Sequence, residues 1–434
     1  MASLRNNFPL SSAASYVGLV GQIVLGVCLG YGQTTNTTST TNTANTTNSC
    51  LDCHSALPDP LEVTQDKFSH DIHSQKGLTC TSCHGGDASS YDPTVSMGKK
   101  AGFKGKIDRK QVPQLCGSCH SNPTYIKTFD PGLRTDQLDQ YHTSVHGKLL
   151  AAGDSKVAIC IDCHSVHDIR PPKDPRSTVN PVNVATTCSR CHSDAEYMKQ
   201  YGIPTDQFAK YNTSVHHDAL VVRGDLSAPT CTTCHGNHGA VPPGVDKVQN
   251  VCANCHVFQA QMYAKSSHNK AFEALNLPGC VVCHSNHGIQ HPTDAKLGTG
   301  PEGVCMKCHQ PGDRCDRARV NIQSGLMQLD GSIKQADQAL RVAEAAGMDV
   351  SEARLAQDQA KDSLTKARVT IHTFQADLVN QDIQVGMKLA ASNLQAGKAA
   401  MVERNQRRIG LGMCLVAIAI MLVGLWLYIR KIES

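Results

Sequence analysis

The last quarter of the chain alternates apolar and polar positions with a regular step. Ile322, Leu326, Leu329, Ile333, Ala336, Leu340 and Ala343 recur at intervals of four and three, the seam of a helix that packs along another helix. Gly347 interrupts the run, and Ser351 offers a cap to a second helix. Ala360, Leu364, Ala367, Ile371, Phe374 and Leu378 then take up the same spacing. The pattern predicts an antiparallel helical hairpin over residues 313–405, with its second helix running on toward Arg404.

Two stretches are apolar all round. Ile409 to Ile429 is 21 residues without a charge; at about 1.5 Å per residue it spans a hydrocarbon layer of about 30 Å. Trp426 and Tyr428 suit one interface, so 406–434 reads as a transmembrane anchor with a short tail. Arg407 and Arg408 on one side balance Arg430 and Lys431 on the other, so flanking charge does not orient it. Near the other end, Arg5 precedes a largely apolar run from Tyr16 to Gly30, and Gly30-Tyr31-Gly32 offers a small-x-small cleavage site. Residues 1–32 therefore read as a signal peptide. Val27 before Cys28 makes a poor lipoprotein signal. Residues 33–49, almost all threonine and asparagine, have nothing to bury and read as a flexible linker.

Between these ends, over residues 50–312, neither a helix nor a strand period persists, and repetition replaces it. One unit runs from Tyr211 to His256: YNTSVH ending at His216, CTTCH ending at His235, then His238, then CANCH ending at His256. Copies before and after supply His146, His164, His167 and His192, and then His268, His284, His287 and His309. A divergent copy spans His70 to His120; it holds His70 and His73 in FSHDIH, and Asp87 where the others have the second histidine of CxxCHxxH.

The motif CxxCH occurs nine times and has a direct chemical reading as a c-type haem attachment site. On one helical turn the two thiols lie on one face, where they reach the two vinyl groups of a haem, and the adjacent histidine reaches the iron. The thiols are Cys50 and Cys53, Cys80 and Cys83, Cys116 and Cys119, Cys160 and Cys163, Cys188 and Cys191, Cys231 and Cys234, Cys252 and Cys255, Cys280 and Cys283, and Cys305 and Cys308. The adjacent histidines are His54, His84, His120, His164, His192, His235, His256, His284 and His309. A tetrahedral zinc site needs no histidine directly after every second cysteine. A thioredoxin-like CxxC would be expected once, and a disulfide scaffold would not hold one spacing nine times. Nine covalently attached c-type haems are therefore expected. Cys315 and Cys414 belong to no motif and read as structural.

Each iron has a second face. His70, His73, His146, His167, His216, His238, His268 and His287 stand in plausible positions for it. His235 and His238 lie about one helical turn apart, on the same side of the backbone. They cannot easily ligate opposite faces of one iron, so His238, His167 and His287 are expected on neighbouring haems. In the unit from Tyr211, both His216 and His238 are available to other irons. His142, His217 and His291 lack counterparts in the other copies and read as ordinary polar residues. A ninth ligand is then missing, and His372, beside the apolar seam of the hairpin, is the candidate that closes the count.

Composition agrees with this chemistry. Aromatic residues make up 4% of the chain, with one tryptophan; residues 50–312 lack the large apolar side chains of an ordinary core, so the macrocycles must supply it. The expected fold is mainly α, with little regular secondary structure in a haem-packed domain, followed by the hairpin and one transmembrane helix. The formal charge of +4 is no argument for nucleic acid, because two propionates per haem make the assembled protein more acidic.

The repeated CxxCH, the CxxCHxxH variants and the few residues per haem between Cys50 and His309 resemble the multihaem c-type cytochromes of the class III and NrfB/NapC-like type. The hairpin with its C-terminal anchor is similar to membrane-attached multihaem cytochromes associated with respiratory quinol oxidoreductase complexes of Gram-negative bacteria. The resemblance implies a haem domain on the periplasmic side of the cytoplasmic membrane, fed from the quinol pool and partnered by quinol oxidoreductase subunits and other periplasmic cytochromes. Irons held by histidine on both faces would relay electrons at low potential and leave no substrate position. The alternative is a reductase of a small molecule such as nitrite, hydroxylamine or tetrathionate at an open iron. The chain has no CxxCK variant, the mark of one nitrite-reducing family.

Overall fold

The computed structural model describes residues 48–244 and 248–433. The expected signal peptide and most of the Thr/Asn-rich linker lie outside the described residues. Among the described residues the chain is helical, without a strand. Up to residue 312 the helices are short, and seven of them end on the histidine of a CxxCH motif.

The heptad seam forms a long helix, α1, Arg314–Ala345, and all seven of its spaced apolar residues are buried. Gly347, at φ +80°, turns the chain. Ser351 is the first residue of the next helix, α2, Ser351–Thr370, and its N–H donates to the Asp349 side chain at 3.0 Å; the N-cap is Val350 and not Ser351.

The expected hairpin is a bundle of three helices, because its second arm breaks. α2 ends at Thr370, a tight turn covers Ile371–Thr373, and α3, Ala376–Glu433, begins anew. Val369, Thr370, Ile371 and Thr373 are β-branched, which weakens helix, and the threonine hydroxyls divert backbone carbonyls. Thr370 Oγ1 donates to Lys366 O at 2.9 Å and to Asp382 Oδ2 at 2.7 Å, and Thr373 Oγ1 to Thr370 O at 2.8 Å.

α3 carries a seam of its own: Val379, Ile383, Gly386, Ala390, Asn393, Gly397 and Ala400 are buried at steps of four and three. Its small residues let the helices approach closely. A Cβ on Gly386 would lie 2.9 Å from both Leu329 Cδ atoms, and one on Gly397 would lie 2.9 Å from the Ala339 carbonyl carbon. One polar bridge crosses all three helices. The buried Gln357 Nε2 donates to Ile333 O at 2.8 Å, and its Oε1 accepts from Asn393 Nδ2 at 2.9 Å. Such a bridge fixes the relative register of the helices. Gln357→Ala is expected to cost about 1–3 kcal/mol for each group left buried without a partner, read as a lower urea midpoint for loss of the helical circular dichroism; an unchanged midpoint would mean that the bridge contributes nothing.

The buried seam of α3 ends at Ala400, and the same helix continues to Glu433 with no break at residue 405. Its last part is the one stretch among the described residues long and apolar enough to cross a membrane, and none of that window is buried against protein. The bundle docks on the last repeat: Leu297 joins its core, and Arg368 makes a two-pronged salt bridge to Asp294 at 2.8 and 3.0 Å.

Candidate haem-binding sites

Seven of the nine motifs close a helix on their histidine, at His54, His84, His120, His164, His192, His235 and His284. The other two are less regular: Val248–Ala253 stops before Cys255, and Cys305–Lys307 is a single tight turn. After the first motif of each repeat the chain does not continue as helix. Gly85, Ser165, Gly236 and Ser285 all have positive φ, from +60° to +82°, so the second histidine of CxxCHxxH leaves the axis instead of stacking one turn on. The expected helical spacing of His235 and His238 is therefore corrected: a left-handed residue, not a helical turn, sends His238 away from its own motif.

The repeats interlock by one copy. His167 faces His84, His238 faces His164 and His287 faces His235, with ring centres 6.2, 6.0 and 6.0 Å apart. Each comes from the copy that comes next in the chain. The histidine upstream of each copy instead faces the second motif of its own copy: His73 with His120, His146 with His192, His216 with His256 and His268 with His309, at 6.0 to 6.4 Å. His216 thus lies against its own unit and does not reach outside it. His372, on the turn between α2 and α3, faces His284 at 6.1 Å with the rings 17° from parallel. Of the eighteen candidate histidines, His54 and His70 are left without a ring partner of this kind. His142 and His217 contact tyrosine rings instead.

These separations suit a metal between two imidazoles. With about 2.0–2.1 Å from metal to each nitrogen and about 1.1 Å more to each ring centre, the centres stand about 6.3 Å apart. The free nitrogens agree where they are defined. Nδ1 of His54 lies 2.9 Å from Leu61 O, that of His235 3.2 Å from Val241 O, and that of His372 2.9 Å from Val369 O, which leaves Nε2 for the iron and fixes the tautomer. Burial first, and facing imidazoles second, push His164 and His284 down to about 4, so both are neutral at pH 7, as a metal ligand must be.

The thiols order the sites. Cys116 lies in hydrogen-bonding reach of Cys160, Cys188 of Cys231 and Cys252 of Cys280, and Cys80 is within electrostatic range of Cys50. Within each repeat, Cys83 is near Cys116, Cys163 near Cys191, Cys234 near Cys252 and Cys283 near Cys308. Successive motifs are thus neighbours from the first to the ninth, and Cys305 of the ninth packs against the bundle core.

Asp71 is a site residue that the pattern of motifs did not single out. It is buried, accepts from His73 N at 2.8 Å, holds His73 Nδ1 at 3.0 Å, and accepts from Ile169 N at 2.9 Å in the next repeat. Its position in FSHDIH matches Ser144, Ser214 and Ser266, all buried; Ser144 and Ser266 cap the helices that carry His146 and His268. The N–H just before each such histidine also bonds the next repeat: Ile72 to Ile169 O, Val145 to Ala240 O and Val215 to Ile289 O, at 2.7 to 3.1 Å. Aligning the copies on this position would have exposed Asp71.

Two protein-family models match the chain, Cytochrome c-type protein NrfB-like over residues 30–109 and Cytochrome c3 over residues 72–193. A C-type polyheme cytochrome, OmcC, of Geobacter sulfurreducens is 27% identical over 193 residues, which cover 44% of this chain and 20% of that protein. The chain spans about a fifth of the length of this curated relative. No solved structure matches it. With the nine motifs and the facing histidines, these matches make the chain a multihaem c-type cytochrome carrying covalently bound haem. Proteins of this class transfer electrons and act with other redox proteins.

Proposed function

We propose that the chain is a membrane-anchored conduit for electrons, with nine covalently attached haems on the exported side of the cytoplasmic membrane, working between a quinol-oxidising complex and other cytochromes. Residues 1–32 act as the export signal, 33–49 as a spacer, 50–312 as the haem domain, 313–405 as its helical support and 406–434 as the anchor. The observation that carries this reading is the set of eight facing histidine pairs, which supports two protein ligands, and so no open substrate position, at eight of the nine irons.

The same pairs give each histidine a role. The second histidine of CxxCHxxH serves the copy behind it. The first copy has the lone motif at His54 behind it but Asp87 in place of the second histidine, and His70 is assigned to His54 as the remaining pair. The last copy has no successor, so His372 of the support serves His284. Haem held by these motifs would supply one-electron transfer, and histidine on both faces would favour a low potential. The chain positions the imidazoles in facing pairs and fixes several of them by hydrogen bonds at Nδ1.

Electron paramagnetic resonance of the fully oxidised protein tests this reading. All haem is expected to be low-spin; a high-spin fraction near one ninth would point instead to a reductase acting at an open iron.

A further inference from the structure

Four of the candidate histidines are oriented by a hydrogen bond. His54, His73, His235 and His372 each set Nδ1 against a protein oxygen at 2.9 to 3.2 Å, the usual means of fixing a ligating imidazole. His268, which faces His309 of the ninth motif, does not. Its Nδ1 is buried with no hydrogen-bond partner among the described residues. Its ring is instead stacked on Phe374, with centres 3.8 Å apart and planes 25° from parallel, and Phe272 meets it edge-on at 5.8 Å.

Phe374 comes from the joint of the membrane bundle, two residues beyond His372. Its backbone is left-handed, at φ +55°, a conformation that an aromatic residue adopts only against strain and that persists where the surroundings require it. The side chain is not hidden in the bundle core but 38% exposed, so core packing does not account for the strain. In this conformation Phe374 closes the tight turn, its N–H donating to Ile371 O at 2.8 Å, and its ring lies on that of His268.

We infer that Phe374 is a positioning residue that holds His268 by stacking as the distal ligand of the ninth haem, in place of the hydrogen bond that orients other ligands in the chain. The inference rests on the proposed pairing of His268 with His309. It makes the ninth haem, like the haem of His284 that His372 serves, one whose distal ligand depends on the fold of the membrane support.

Carbon monoxide binding to the reduced, full-length holoprotein tests it, because only an iron with a displaced or missing ligand takes up the gas. Wild type is expected to bind none. Phe374→Gly removes the ring while glycine accepts φ +55° without strain, and about one haem in nine should then bind. Phe374→Tyr keeps the stack and should behave as wild type. If Phe374→Gly fails to assemble, Phe374→Leu, which keeps bulk without a ring, is expected to open the same single haem. His268→Ala separates the stacking role from the ligand pairing. If it opens one haem while the glycine and leucine variants open none, the inference about Phe374 is overturned and the ligand pairing stands. If His268→Ala opens none, the pairing itself fails and the inference with it. Opening by Phe374→Tyr as well would trace the effect to folding of the joint and overturn the stacking role.

Discussion

Replacement of His372 by alanine should turn one haem in nine from low-spin to high-spin in the oxidised protein. The expectation rests on position. His284 belongs to the last repeat, and no further copy exists to send a histidine back to it. His372 faces it at 6.1 Å, in a nearly parallel arrangement like those of His164 with His238 and His235 with His287. Its Nδ1 is engaged by Val369 O, so the ring is held by the tight turn rather than left to solvent. The turn is itself fixed by Thr370 and Asp382 within the bundle. His291→Ala, in the same repeat, should leave the spectrum unchanged. A wholly low-spin spectrum for His372→Ala would remove this residue from the ligand set and reopen the search for the partner of His284.

A chain ending at Arg408 should leave the membrane fraction and appear in the soluble fraction with its haem complement and helical signal intact. The buried residues of α3 end at Ala400, so the truncation takes nothing from the packing of the bundle. The part removed is the uncharged run from Ile409 to Ile429, about 31 Å of helix at about 1.5 Å per residue, matched to a hydrocarbon layer of about 30 Å. Retention of the shortened protein on washed membranes would move the anchoring function elsewhere in the chain.

Much of this arrangement is legible in the sequence, and the parts that are not have physical causes. The CxxCH motifs declare themselves because attachment chemistry permits so little variation, and the α1 seam because leucine and isoleucine mark its buried face. The seam of α3 has the same spacing, yet Gly386, Ala390, Asn393 and Gly397 carry almost no hydrophobicity. Close approach of backbones, not apolar bulk, selects those residues. The break after Thr370 is hidden because Ile371, Phe374 and Leu378 happen to continue the period, while the hydroxyls that end the helix are read only through their partners. The reach of His167, His238 and His287 to other copies is expected from the sequence, but through helical geometry; the residue at positive φ after the first motif of each repeat is what achieves it. Asp71 escapes notice because its role, tying one repeat to the next, is invisible within a single copy.

The interlock by one copy gives the haem domain the logic of a polymer with unlike ends. Every interior copy is complete only when another comes after it, so insertion of a whole copy would preserve each join. The ends need special residues. At the leading end Asp87 stands where the other copies have the second histidine, and in the proposed assignment His70 serves His54 in its stead. At the trailing end the proposed assignment makes His372 a terminator supplied by a different fold, which would tie the length of the array to the presence of the membrane support.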